Sequence, residues 1–346
     1  PANPIYSDLF DRCSRIMWHG LEMFASELFC SPGTFGPGAT AEGYDEHERH
    51  RLSAWNERLQ PFFPIDYHYG SLSDHDRISF LSEEEEIPVR VVHVSKTLKT
   101  PRIISIEPSF VMYCQQAIMA KLVPYIESSI PFIRFSDQSI NVDMARIGSE
   151  TDRYSTIDLS DASDLVPYNG IKRMLKCCPT FFEYIDSCRT KRAQLPDNTI
   201  IELKKFSSMG SALCFPLEGM YFATICFAAY CYYHGRVPSK NLLIRFSDTA
   251  SVYGDDIIVE REVGPTVVTF LQSFGLKVNV DKTFLTGRFK ESCGGDFFDG
   301  QDVSPTYLRR LVPLTKVGIR KKSKEIISAV SYSNQLWLKG YWTASF

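Results

Sequence analysis

The sequence predicts an α+β fold, an antiparallel sheet backed by helices, and three observations carry that reading. Residues 242–246 and 251–259 are apolar, β-branched-rich runs on either side of the turn Gly254-Asp255-Asp256, which reads as a β-hairpin. A short strand-like run ends at Asp158, and the Ser/Asp/Ala segment after it reads as a turn entering a helix. Residues 220–233 are apolar on every face, as expected of a helix buried behind the hairpin. At 14 residues that run is shorter than the ~20 a spanning helix needs. Periodicity takes the fold no further than α+β.

The hairpin tip carries the first candidate chemistry. Gly-Asp-Asp alone is a common solvated turn, so the motif gains meaning only from its companions. Adjacent carboxylates on a rigid mount suit magnesium, which takes hard oxygen ligands and usually one or two protein carboxylates. If the Asp158 strand neighbours the hairpin in one sheet, then Asp158, Asp255 and Asp256 can hold two Mg²⁺ ions about 3.5–4 Å apart, with Mn²⁺ as a substitute. That arrangement serves in-line displacement at phosphorus. Asp161 reads as the N-cap of the following helix.

Upstream, residues 96–108 place Lys96, Lys99 and Arg102 at three-residue intervals beside Pro101, a semi-rigid basic ribbon. Arg102 can grip a phosphate with two parallel hydrogen bonds, whereas Lys96 and Lys99 act as point charges. Downstream of Asp158, the Phe206–Ser211 loop holds Ser208 and Gly210, small residues that let backbone approach a ligand. Lys282, soon after the hairpin, is a candidate general acid for a departing pyrophosphate. A surface Lys beside a turn is the competing reading.

Composition excludes little. The formal charge of −3 argues against a blanket basic surface, so any nucleic-acid path is local. Candidate paths are residues 90–102 and the cluster Arg320, Lys321, Lys322 and Lys324, with Arg309 and Arg310 beside it. The acidic run 83–86 reads as solvent-facing. The ten cysteines show no Cys-x-x-Cys pair and read as reduced thiols. The glycines at 33, 36 and 38 are not followed by Gly-Lys-Ser/Thr, so no Walker-type phosphate loop is supported.

Together these residues resemble the replicase subunit of the single-stranded RNA bacteriophages, the levivirus type of RNA-dependent RNA polymerase. Asp158-Leu-Ser-x-Ala-Ser-Asp164 looks like the family's first palm motif, Phe206 to Gly210 like its Ser-Ser-Met-Gly loop, and Val252 to Ile258 like its metal hairpin. Lys282-Thr283-Phe284 and residues 289–309 are similar to the segment leading into its thumb. The likeness spans roughly residues 90–310. It departs at Ser211, where the family usually has Asn.

The resemblance implies a right-hand layout: fingers over 1–150, palm over 151–285 with a fingers insertion at about 166–205, and the start of a truncated thumb over 286–346. It implies template-directed RNA synthesis from NTPs, replicating a viral single-stranded genome in the cytoplasm of a bacterial host. Its implied partners are RNA template and product, host elongation factors Tu and Ts, and a small-subunit ribosomal protein, with no membrane. Reverse transcriptases place an aromatic residue just after the first Asp, but this chain has none between Asp158 and Asp164. Asp164 can instead bond a ribose 2′-hydroxyl, which favours RNA over DNA synthesis. The alternative is a non-catalytic RNA-binding module on a polymerase-like fold, or a partial inactive polymerase.

Overall fold

The computed structural model describes residues 3–29, 31–45, 47–50, 52–68, 77–95, 101–310 and 323–345. Lys96, Lys99, Arg320, Lys321 and Lys322 lie outside the described residues.

A four-stranded sheet positions the site. Its strands run in the order Ile133–Arg134, Ser251–Tyr253, Asp256–Glu260, Tyr154–Ile157. The two central strands form the expected Gly-Asp hairpin, and the Tyr154–Ile157 strand lies antiparallel to its second arm. Only the first pairing, with Ile133–Arg134, is parallel. Ile133, Val252, Ile257 and Ile157 are fully buried on one face, where they join the main core. The other face is covered at Ile258 by Ala145, Tyr154 and Phe297.

The helix behind this sheet spans Cys214–Tyr233. By length and composition it could cross a membrane, yet 94% of its apolar window is buried inside the protein. Helix Pro4–Trp18 packs on it, with the Trp18 indole N–H donating to Thr224 Oγ1 at 2.9 Å. Helix Gly264–Ser273 covers it from another side. The nine described cysteines are all free thiols.

A second four-stranded sheet runs Pro101–Ile106, Val89–Ser95, Arg192–Gln194, Ile200–Glu202. A third, Phe289–Ser292, Gly295–Phe298, Gln301–Asp302, is an antiparallel meander against helix Ser139–Thr151.

Several local expectations are corrected. Residues 242–246 are not a hairpin strand but part of helix Lys240–Ser247, capped by Ser239 Oγ accepting from Leu242 N at 3.2 Å. The buried pair Leu243 and Phe246 is spaced for a helix, and so short an apolar run does not declare its period. The hairpin's first arm is therefore only Ser251–Tyr253. Asp161 occupies the N-cap position at φ 55° but accepts no capping hydrogen bond; its carboxylate faces Lys277 at 3.4 Å. From Pro101 onward the basic ribbon is a strand, paired in register with residues 90–95. Pro101 is tolerated because it opens an edge strand, where the missing N–H leaves no ladder bond unmade. The acidic run 83–86 is only partly solvent-facing, since Glu86 is buried against the Arg58 guanidinium.

Candidate active site

Strand register brings the acids together. The ladder between these strands ends at Ile157 opposite Ile257; Asp158, the next residue, lies just past it, near enough to Asp255 and Asp256 to feel both charges. Tyr253 pairs with Asp256 on one side and Arg134 on the other. Cross-strand partners point to one face of a sheet. Arg134, Tyr253 and Asp256 thus form one row, with Asp158 just past the end of the neighbouring ladder, and all four are half-buried.

The turn beside the row depends on Gly254. It sits at φ +58°, and a Cβ there would lie 2.2 Å from the Phe215 ring of the core helix. No residue with a side chain takes that place without moving the helix or the turn.

Each acid has protein partners. Asp158 Oδ2 accepts from Asn279 Nδ2 at 2.7 Å. Asp256 Oδ1 accepts from Cys293 N at 3.0 Å and from Ser292 Oγ at 3.2 Å. Burial pushes the Asp158 carboxyl up to about 6; Asn279 and Lys282 oppose that, while the charges of Asp255 and Asp256 add to it. Among the described residues no three His, Cys, Asp or Glu side chains form a ready metal-ligand group. The expected shared two-ion seat is therefore not preformed. N–H and O–H donors from Asn279, Cys293 and Ser292 stabilise the mutually repelling carboxylates.

Lys282 stands beside the acids and pairs with Glu291 at 2.7 Å. Burial pulls its pKa down, but Glu291, Asp158 and Asp256 more than offset that, and the net shift is upward. Its ammonium is thereby kept charged. Asp164 is also engaged, by Lys205 Nζ at 2.5 Å.

One acid was missed. Glu218, in the core helix, is 7% exposed, and its Oε2 has no hydrogen-bond partner. Burial, then the charges of Asp255 and Asp164, push it up to about 8. It lies close enough to feel both charges. The signal was available, since a lone carboxylate entering an otherwise apolar helix has to face something polar.

Ser208 and Gly210 lie in a loop packed against the Pro101–Ile106 strand. Gly210, at φ +125°, makes its close approach to Ser105: a Cβ there would lie 2.0 Å from the Ser105 carbonyl oxygen. Ser105 N donates to Met209 O at 2.8 Å, which ties the loop to the Pro101–Ile106 strand. Ser208 is buried beside a cavity of about 10 Å³ lined by Glu107, Gln115, Arg189 and Thr190, room for one water. Arg102 is exposed on that same strand.

The sequence model of the RNA replicase, beta-chain family matches residues 79–317. The chain belongs to that family. It is 35% identical over 221 residues to the RNA-directed RNA polymerase subunit beta of Enterobacteria phage SP, covering 64% of this chain and 36% of the relative. It is 34% identical over 223 residues to the corresponding subunit of Escherichia virus Qbeta, with the same coverage. The RNA-directed RNA polymerase beta chain of Escherichia phage MS2 is 35% identical over 222 residues, 64% of this chain and 38% of that one. The chain thus spans little more than a third of the curated relatives it matches. Among solved structures, the RNA-dependent RNA polymerase of a human picorbirnavirus aligns with a TM-score of 0.50 and 12% identity, covering 71% of this replicase-family chain and 52% of that one. The family member therefore has the α+β fold of viral RNA-dependent RNA polymerases.

Proposed function

We propose that this chain carries the fingers and palm of an RNA-directed RNA polymerase, joining NTPs on an RNA template. The observation that supports this best is the closeness of Asp158, just past the end of its strand, to the Asp255–Asp256 tip, whose charges it feels. Three hard oxygen donors on one sheet edge, with Asp158 pushed up partly by its acidic neighbours, are chemically suited to divalent magnesium or manganese. Bound there, such ions supply Lewis-acid stabilisation and a more acidic 3′-hydroxyl.

The chain's own residues take the remaining roles. Lys282, kept protonated by Glu291, delivers a proton to the departing pyrophosphate. Arg102, with Lys96 and Lys99, neutralises the incoming triphosphate. Asp164, held by Lys205, accepts from the ribose 2′-hydroxyl. Ser208 and Gly210 set the loop that faces the template through their anchorage on the 101–106 strand.

The same reading gives residues 1–150 to the fingers, 151–285 to the palm with the 166–205 insertion, and 286–346 to the start of the thumb. The relatives are termed beta subunits or beta chains, in keeping with a larger assembly. Elongation factors Tu and Ts and a small-subunit ribosomal protein in a bacterial cytoplasm are the partners we infer. Co-purification from host lysate tests that part.

Primer extension on an RNA template with Mg²⁺ tests the activity. The expected result is template-dependent RNA product from the wild-type chain. RNA binding without any extension would instead support the binding-module reading.

A further inference from the structure

Arg134 occupies the far end of the row that leads to Asp158. Counting inward across the sheet, the paired order is Arg134, Tyr253, Asp256, with Asp158 just past the end of the next strand. Two inter-strand spacings put the Arg134 backbone roughly 9–10 Å from that of Asp256. Its side chain points to the same half-open face, because its neighbour Ile133 is fully buried on the other.

Its hydrogen bonding is unusual. Arg134 Nε is buried without a partner, and among the described residues the guanidinium makes no hydrogen bond or ion pair. A buried Nε–H on a permanent cation is costly to leave unpaired, and the rest of the half-exposed guanidinium reaches the open face. The nearby acids do not absorb them. Asp137 feels the Arg134 charge, yet its carboxylate accepts from Ser139 N at 2.8 Å. Glu127 accepts from Phe135 N at 2.7 Å and from Ser136 N at 2.9 Å.

The two ends of the row are chemically matched. Lys282 flanks Asp158 at one end and Arg134 stands at the other. In-line displacement places the attacking strand and the leaving pyrophosphate on opposite sides of phosphorus. An anion site at each end suits that geometry. Lys282 is already assigned to the pyrophosphate.

We propose that Arg134 binds a backbone phosphodiester of the growing RNA strand, near its 3′ end, through paired N–H donors to the phosphate oxygens. The contact aligns the terminal hydroxyl with the carboxylates. This rests on the polymerase reading above and names the strand-binding residue within it.

The test is RNA affinity measured without turnover. Wild type, Arg134→Gln and Arg134→Lys are titrated with a fluorescent primer–template RNA in EDTA across a salt series, with thermal unfolding checking that each variant is folded. Arg134→Gln is expected to bind about tenfold more weakly. Its slope of log affinity against log salt should flatten by about 0.7–0.9, the signature of one lost phosphate contact. Arg134→Lys should keep the slope and recover part of the affinity. Primer extension should show a raised KM for primer–template and an unchanged KM for NTP. Unchanged RNA affinity and slope in Arg134→Gln would overturn the proposal, as would a raised NTP KM alone, which would move the contact to the triphosphate. Wild-type chain that binds no RNA would overturn this proposal and the polymerase reading together.

Discussion

Asp158 stands one residue beyond the ladder pair of Ile157 with Ile257, close enough to feel the charge of Asp256 although 97 residues lie between the two in sequence. Replacing either carboxylate by its amide leaves the strand register untouched. Asp256→Asn is expected to reduce RNA synthesis by several orders of magnitude while RNA affinity changes little. Primer extension and RNA binding, measured on the same preparation, check this.

The Asp158 carboxyl, raised to about 6 by burial first of all, has to lose its proton to bind a cation. Apparent Mg²⁺ or Mn²⁺ affinity should therefore be level above about pH 7 and fall up to about tenfold per pH unit below about pH 6. Calorimetric titration across that range gives the curve. A flat profile would remove Asp158 from the ligand set.

Glu218 makes a stability prediction. Its folded pKa of about 8 lies above the ordinary 4.5, so the folded state holds its proton more tightly than the unfolded chain. Its contribution is undiminished below about pH 4.5, and stability is lost as pH rises toward about 8. In EDTA, Glu218→Gln should match wild type near pH 4.5 and exceed it by on the order of a few kcal/mol near pH 8. Denaturant unfolding at the two pH values decides between that and a constant offset.

Gly210→Ala places a methyl group against the Ser105 carbonyl at a backbone conformation that side chains rarely adopt. A loss of about 1–3 kcal/mol is expected. Because the loop is tied to the strand bearing Arg102, the NTP KM should rise as well. Unfolding midpoints and steady-state kinetics read the two effects separately.

Asp164→Ala should raise deoxynucleotide use relative to ribonucleotide use in extension assays. Lys205→Ala, which frees the same carboxylate, should leave that preference in place.

The parts legible in sequence were those with strong local chemistry. The Gly254 turn, the Asp158 strand end and the buried helix follow from turn residues, alternation and all-round apolarity. Helix Lys240–Ser247 was not legible, because a five-residue apolar run suits either period until its packing partners are known. The roles of Gly210 and Glu86 were hidden for another reason: both are fixed by contacts with distant residues, Ser105 and Arg58. Arg134 carries no local motif. Only the parallel pairing of Ile133–Arg134 with Val252–Tyr253 puts it in the acid row.

Anomalous scattering from crystals soaked in Mn²⁺ tests the central claim most directly. Mn²⁺ peaks are expected within coordination distance, roughly 2–2.6 Å, of carboxylate oxygens from Asp158 and from the Asp255–Asp256 turn. The Asn279 and Cys293 contacts should be loosened there. Crystals with no peak between those strands, or with Mn²⁺ bound only elsewhere, would contradict it.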